Sequence, residues 1–145
     1  CDAQSSLRRQ GSVTTHHTLT HEEQIDRELG YQPQATYFIN RIIENLAYFV
    51  AQLENIKEGD STLLDRTIVF ANTETGYAKI HSLENIPLIT IGSASGKIKT
   101  GIHYGAEGDP VTRVGLTLQQ AMGLPVSTWG TESLKTSKPI AEILV

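Results

Sequence analysis

Nine apolar residues, Phe38, Ile39, Ile42, Ile43, Leu46, Phe49, Val50, Leu53 and Ile56, recur at the i, i+3, i+4, i+7 intervals of one helical face. The spacing predicts a helix over residues 34–57, entered at Pro33 and ended by Lys57-Glu58-Gly59-Asp60-Ser61. A stripe of that length has to be covered, so it limits the chain to folds that lay a long helix on another layer. The face carrying Ile39, Ile42, Leu46, Phe49 and Leu53 is expected to pack on a sheet.

Two continuous apolar runs supply that sheet. Thr67-Ile68-Val69-Phe70-Ala71 is a continuous run rich in β-branched and aromatic residues, of the kind buried on both sheet faces, and Ile86-Pro87-Leu88-Ile89-Thr90-Ile91-Gly92 is another continuous apolar run. Pro87 at its start removes no ladder hydrogen bond. The polar stretch between them, 72–85, is long enough for a crossover, so the two are expected as neighbouring parallel strands. A Gly/Ser/Lys loop follows over 92–101. Asp109-Pro110 then reads as a helix start for a short helix spaced by Val111, Val114, Leu118 and Met122, with Gly123 and Pro125 as its stop. Near the front, Ser12-Val13-Thr14-Thr15 is one weak strand candidate.

The order helix, strand, loop, strand, loop, helix is a piece of a layered α/β domain. Two strands and two helices cannot cover both faces of a parallel sheet, so the remaining apolar surface is expected to meet a missing N-terminal part or a partner chain. The lone Cys1 fits a lipoprotein-type mature end, an introduced residue or a segment of a longer chain, and the incomplete sheet favours the last.

Composition narrows the functional classes. The 145 residues carry 39% hydrophobic and 19% charged side chains, ordinary for a packed domain, and a formal net charge of −4. With no Lys/Arg run, the electrostatic footprint of a nucleic-acid binder is missing. No stretch approaches the roughly 18 apolar residues that read as a transmembrane segment.

Histidine is the sharpest local signal. His17 and His21 lie four residues apart and would share one helix face, with Glu22 next in sequence. Such a pair serves a metal when other ligands join it, and equally sits on a solvated loop. Glu74 after the first strand run, His81 before the second and His103 beyond the Gly-rich loop are the candidates to join. Loops leaving strand ends are where open α/β sheets bind ligands.

The string Glu58-Gly59-Asp60-Ser61-Thr62-Leu63-Leu64-Asp65-Arg66-Thr67-Ile68-Val69-Phe70, then His81 ahead of Ile86-Pro87-Leu88-Ile89, then Lys99-Thr100-Gly101-Ile102-His103, and last Leu116-Thr117-Leu118 with Met122-Gly123-Leu124-Pro125-Val126, resembles the C-terminal half of the HxxSHH-motif family. These are exported bacterial proteins of unknown function, distantly similar to the alkaline phosphatase and sulfatase superfamily. The naming motif falls on residues 17–22, with Thr20 in place of its serine and Glu22 in place of its final histidine. The resemblance implies an α/β fold, a partial alkaline-phosphatase-like layered sheet with flanking helices, in which residues 1–145 form the C-terminal part of a single domain. It implies a periplasmic or extracellular location.

It also implies a divalent metal, zinc or calcium, held by His17, His21, Glu74, His81 and His103, in a hydrolase of phosphate or sulfate esters. Two departures point the other way: Glu22, and Asn72-Thr73-Glu74 where the superfamily has an Asp-His pair. They favour a non-catalytic binding or structural component with a degenerate site. The superfamily nucleophile belongs to the N-terminal half, and nothing in the sequence marks a base that would activate Thr20.

Overall fold

Capping decides where the helices of this chain begin. The structure, a computed structural model, describes residues 7–145, so Cys1 lies outside the described residues. The chain divides into two compact units. One is formed by the chain up to Phe49 together with Asn72–Leu88, the other by Val50–Ala71 together with Ile89–Val145.

In the first unit, Thr15 is extended and caps α1, His16–Glu22, with its hydroxyl oxygen accepting from the Thr18 N–H at 3.1 Å. Thr15 also closes a single antiparallel bridge to Arg8, which among the described residues is all that forms of the strand expected at 12–15. The long helix α2 spans Pro33–Asn55, within two residues of expectation at each end. Pro33 at its first position lacks the N–H that would go unpaired there. The next two N–H groups, of Gln34 and Ala35, donate to the two carboxylate oxygens of Glu23, each at 2.8 Å. The Gln32 side-chain amide donates to the carbonyls of Glu23 at 2.7 Å and of Leu19 and Thr20 at 3.3 Å. The end of α1 and the start of α2 thus satisfy each other's orphan backbone groups. Leu19, Ala35 and Phe38 close over the junction as the apolar core of this unit.

The rest of the α2 stripe is not buried as expected. Ile39, Ile42 and Phe49 are 41%, 42% and 49% exposed, and Leu46 and Leu53 only half-buried. The residues α2 buries are Ala35 and Phe38, one turn nearer its start.

The second unit opens with a hairpin of two-residue strands, β1 (Lys57–Glu58) and β2 (Ser61–Thr62), turned by Gly59 at φ 66°. Thr62 and Asp65 then form a capping box around the single turn α3, Leu63–Arg66. The two apolar runs pair as β3 (Val69–Asn72) and β4 (Leu88–Ile91). They are antiparallel, not parallel. Contacts step in opposite directions along the two segments: Ser95 N–H donates to Asp65, Ala94 N–H to Thr67, and Gly76 lies against Glu84. The 72–85 stretch is therefore a returning hairpin arm rather than a crossover. The strands are not doubly buried either. β3 alternates half-buried and exposed, with Phe70 45% exposed, as a sheet with one covered face does. The architecture is thus helices with small antiparallel sheets, a mixed α/β class.

Helix α4, Thr112–Ala121, carries the tightest packing. Leu116, Thr117 and Ala121 are buried, while Val111 and Met122, expected on its inner face, are exposed. Asp109 does not cap it but pairs with Arg113. Ala121 joins Ala94 and Ile98 in a core flanked by Ile68, Leu118 and Leu144. The segment 136–140 is tied to α4 by polar groups. The Arg113 guanidinium donates to the carbonyls of Lys138 at 3.1 Å and Pro139 at 2.8 Å, and Ile140 N–H donates to the Thr117 hydroxyl at 2.8 Å. A side chain at Gly115 would strike the Trp129 indole, 2.7 Å from its Nε1.

Glu23→Ala, which strips both oxygens from the start of α2, is expected to lower stability by about 1–2 kcal/mol in denaturant unfolding, with Glu23→Gln in between. Thr117→Val keeps the shape but leaves the buried Ile140 N–H without an acceptor, and should cost about 1–3 kcal/mol. A loss under roughly 0.5 kcal/mol would show that water replaces the hydroxyl.

Candidate histidine site

The segment His16-His17-Thr18-Leu19-Thr20-His21 becomes a helix, so its imidazoles part onto two faces. His16 and Leu19, three residues apart, turn inward. His16 is fully buried, its ring stacked on Phe38 with centroids 5.0 Å apart. Neither His16 Nδ1 nor Nε2 has a hydrogen-bond partner among the described residues. Burial, and next the neighbouring His17, push its pKa below the usual 6.5.

His17 and His21 lie on another face and are half-buried. Their ring centroids are 4.8 Å apart in an edge contact. His81 arrives from far along the chain. The turn Ala78–Ile80 packs on α1, and His81, at the end of that turn, stacks on His21 with centroids 5.0 Å apart. Its backbone is left-handed, φ 53° and ψ 37°, which is uncommon for a residue bearing a Cβ. His21 is therefore the middle ring of three.

Of the five residues singled out in the sequence, His17, His21 and His81 come together. Glu74 is exposed in the same unit, two residues beyond β3, and His103 is exposed in the other unit. Among the described residues, no group of three or more His, Cys, Asp or Glu is placed so that it could hold a metal ion.

No family model, no curated protein and no solved structure matches this chain.

The Thr20 hydroxyl, at the motif's serine position, donates to the His17 carbonyl at 2.7 Å. It returns a hydrogen bond to its own helix and, among the described residues, bonds to no base. Glu22 is exposed beside it. In the second unit a cleft of about 380 Å³ is lined by Ser61, Asp65, Arg66, Ser93, Ser95 and Gly96. Its chemistry is occupied with folding: Asp65 caps α3, and the Ser93 hydroxyl donates to the Asp65 carbonyl at 2.8 Å.

Sequence reasoning passed over His16. Its i, i+3 relation to Leu19 was the available signal, since that spacing puts both on one face, but a histidine is seldom counted as core.

The lowered His16 pKa fixes a direction of pH dependence. The unfolded chain takes up a proton near pH 6.5 and the folded one only below that, so stability from this group is full above 6.5 and falls as the pH drops through the folded value. His16→Phe, which keeps a ring against Phe38, should flatten the difference in melting temperature between pH 7.5 and 5.5. An unchanged difference would mean that other groups dominate acid sensitivity.

Proposed function

We propose that this chain is part of an exported protein, periplasmic or extracellular, similar to the HxxSHH-motif family, in which the superfamily site persists in reduced form and serves binding rather than turnover. The observation that carries this reading is the state of Thr20. Its proton is given to a backbone carbonyl, so the one hydroxyl at the motif's serine position is tied into α1. In the same reading the chain contributes its helices and small sheets to a partial alkaline-phosphatase-like domain. The exposed faces of α2, β3 and β4, with Ile39, Ile42, Phe49, Phe70 and Ile89, meet the N-terminal part or a partner chain. Among the described residues no helix is long and apolar enough to cross a membrane.

The gathering of His17, His21 and His81 favours a second reading, a metal-dependent hydrolase of phosphate or sulfate esters, with Glu74 and His103 as further ligands. A divalent cation, zinc or calcium, would there polarise the ester and stabilise the departing oxygen. His17, His21 and His81 would hold the ion, while the chain's own hydroxyl at Thr20 stays bonded to its helix.

The two readings part in a turnover assay on the intact protein with p-nitrophenyl phosphate and p-nitrophenyl sulfate, in the presence of zinc or calcium. The expected result is hydrolysis no faster than the metal-only control. Turnover that is lost in His21→Ala would establish the hydrolase instead.

A further inference from the structure

We infer that the apolar seam of α2 is a self-association surface, on which a second copy of this chain packs antiparallel about a two-fold axis. The inference rests on the reading that the exposed face of α2 meets a partner chain, and it names that partner.

Lack of cover is the first support. Ala35 and Phe38, near the start of α2, are buried in a cluster with Leu19. From Ile39 to Phe49 every residue of α2 except Leu46 is exposed. About three turns of helix therefore have little packed on them, whereas helices in water draw most of their stability from covering an amphipathic face.

The pattern of that face is the second support. Ile39, Ile42, Leu46, Phe49 and Leu53 follow one another at alternating steps of three and four residues, the a and d positions of a coiled-coil seam. An antiparallel pair centred between Ala47 and Tyr48 sets Leu46 of each copy level with Phe49 of the other, and Ile42 level with Leu53. Each level then joins one a and one d side chain, the reciprocal contact that a two-fold interface requires. A parallel pair would instead stack each residue on itself. Leu46 and Leu53 at a with Ile42 and Phe49 at d are not the β-branched a and leucine d that favour two parallel strands.

Charge placement is the third. The charged residues of α2 are Arg41, Glu44 and Glu54. On the helical wheel Arg41 and Glu44 fall opposite the seam, where they pair with each other at 2.7 Å. The seam is flanked by Ile43 and Val50 on one edge and by the uncharged Asn45 and Gln52 on the other. Glu54 lies beside its far end, and antiparallel packing keeps the two copies of Glu54 at opposite ends of the pair. No like charges meet along the seam, so a second copy is not repelled.

Area sets the strength. Ile39, Ile42, Ile43 and Phe49 are between 41% and 49% exposed. With its flanks the seam offers on the order of 500 Å² per copy, about 1,000 Å² for a pair, which is the low end for specific interfaces and gives weak, concentration-dependent association.

Sedimentation equilibrium on the full chain, over roughly three decades of concentration up to about 1 mM, should show the mass rising from one chain towards two. Phe49→Glu puts a charge in the seam at an exposed position and should keep the fold, checked by circular dichroism. It should raise the dissociation constant at least about tenfold, as loss of a central interface residue does. Tyr48→Glu, on the outer face and 69% exposed, should associate as the parent does. Orientation is read in a Cys1→Ser background with a short bis-maleimide cross-linker. Ile42→Cys chains mixed with Leu53→Cys chains should cross-link, and neither variant alone should do so to the same extent. The inference is overturned by a single-chain mass at every concentration, by a mass above two chains, or by cross-linking of Ile42→Cys alone as efficient as that of the mixture. Unchanged association in Phe49→Glu, or an equal loss in Tyr48→Glu, overturns it as well. A single-chain mass would leave the N-terminal part or a different chain to cover this face, and the reading of a binding rather than catalytic protein is decided separately, by the ester assay.

Discussion

The exchange between Glu23 and Gln32 holds the first unit together. A helix of seven residues is too short to persist alone, because one turn's hydrogen bonds do not repay its ordering. α1 persists because its far end is bonded. The Gln32 amide takes its last carbonyls, and the Glu23 carboxylate takes the first free N–H groups of α2. A negative group at a helix start also meets the positive end of the helix dipole. With the two helix ends locked, Leu19, Ala35 and Phe38 are brought together, and His16 is pressed against Phe38. The opposite consequence follows for His17 and His21. Once one face of α1 is committed to the core, their face is left to receive the 78–81 turn.

The second unit solves a similar problem with different groups. Its segment 136–140 has little regular structure of its own. The Arg113 guanidinium and the buried Thr117 hydroxyl supply the donors and acceptor that the backbone of 138–140 lacks, from one face of α4. Both residues look unremarkable in the sequence, a charge and a hydroxyl on a short helix. Their roles follow from burial, where an unpaired backbone group is costly.

Apolar surface remains on both units. Ile39, Ile42 and Phe49 on α2, and Phe70 and Ile89 on the paired strands, are too exposed for a stripe that the sequence spaces so regularly. The regularity and the exposure together leave these faces uncovered within each unit. The histidine patch is separate in kind. It is polar, half-buried at His17 and His21 and exposed at His81, and built from two segments.

Local pattern determined the elements that depend on neighbours in sequence. The 3.6-residue period of Phe38 to Ile56 specified α2 almost to its ends, and the runs at 67–71 and 86–92 specified two strands, because helix and strand periodicity are properties of a short window. The i, i+4 spacing of His17 and His21 likewise placed both on one face once α1 formed. What neighbours in sequence do not contain is which partner each face meets. Whether β3 and β4 run parallel or antiparallel turned on the path of 72–85, and that path folds back through Gly76 and the Tyr77–Ser82 bridge rather than crossing over. Whether α2 buries its stripe turned on what was available to cover it. That His81 reaches His21 across 60 residues, and that His16 rather than His17 is the buried ring, were decided only when α1 docked at Phe38. Side chains distant in sequence acquire a common environment through packing alone.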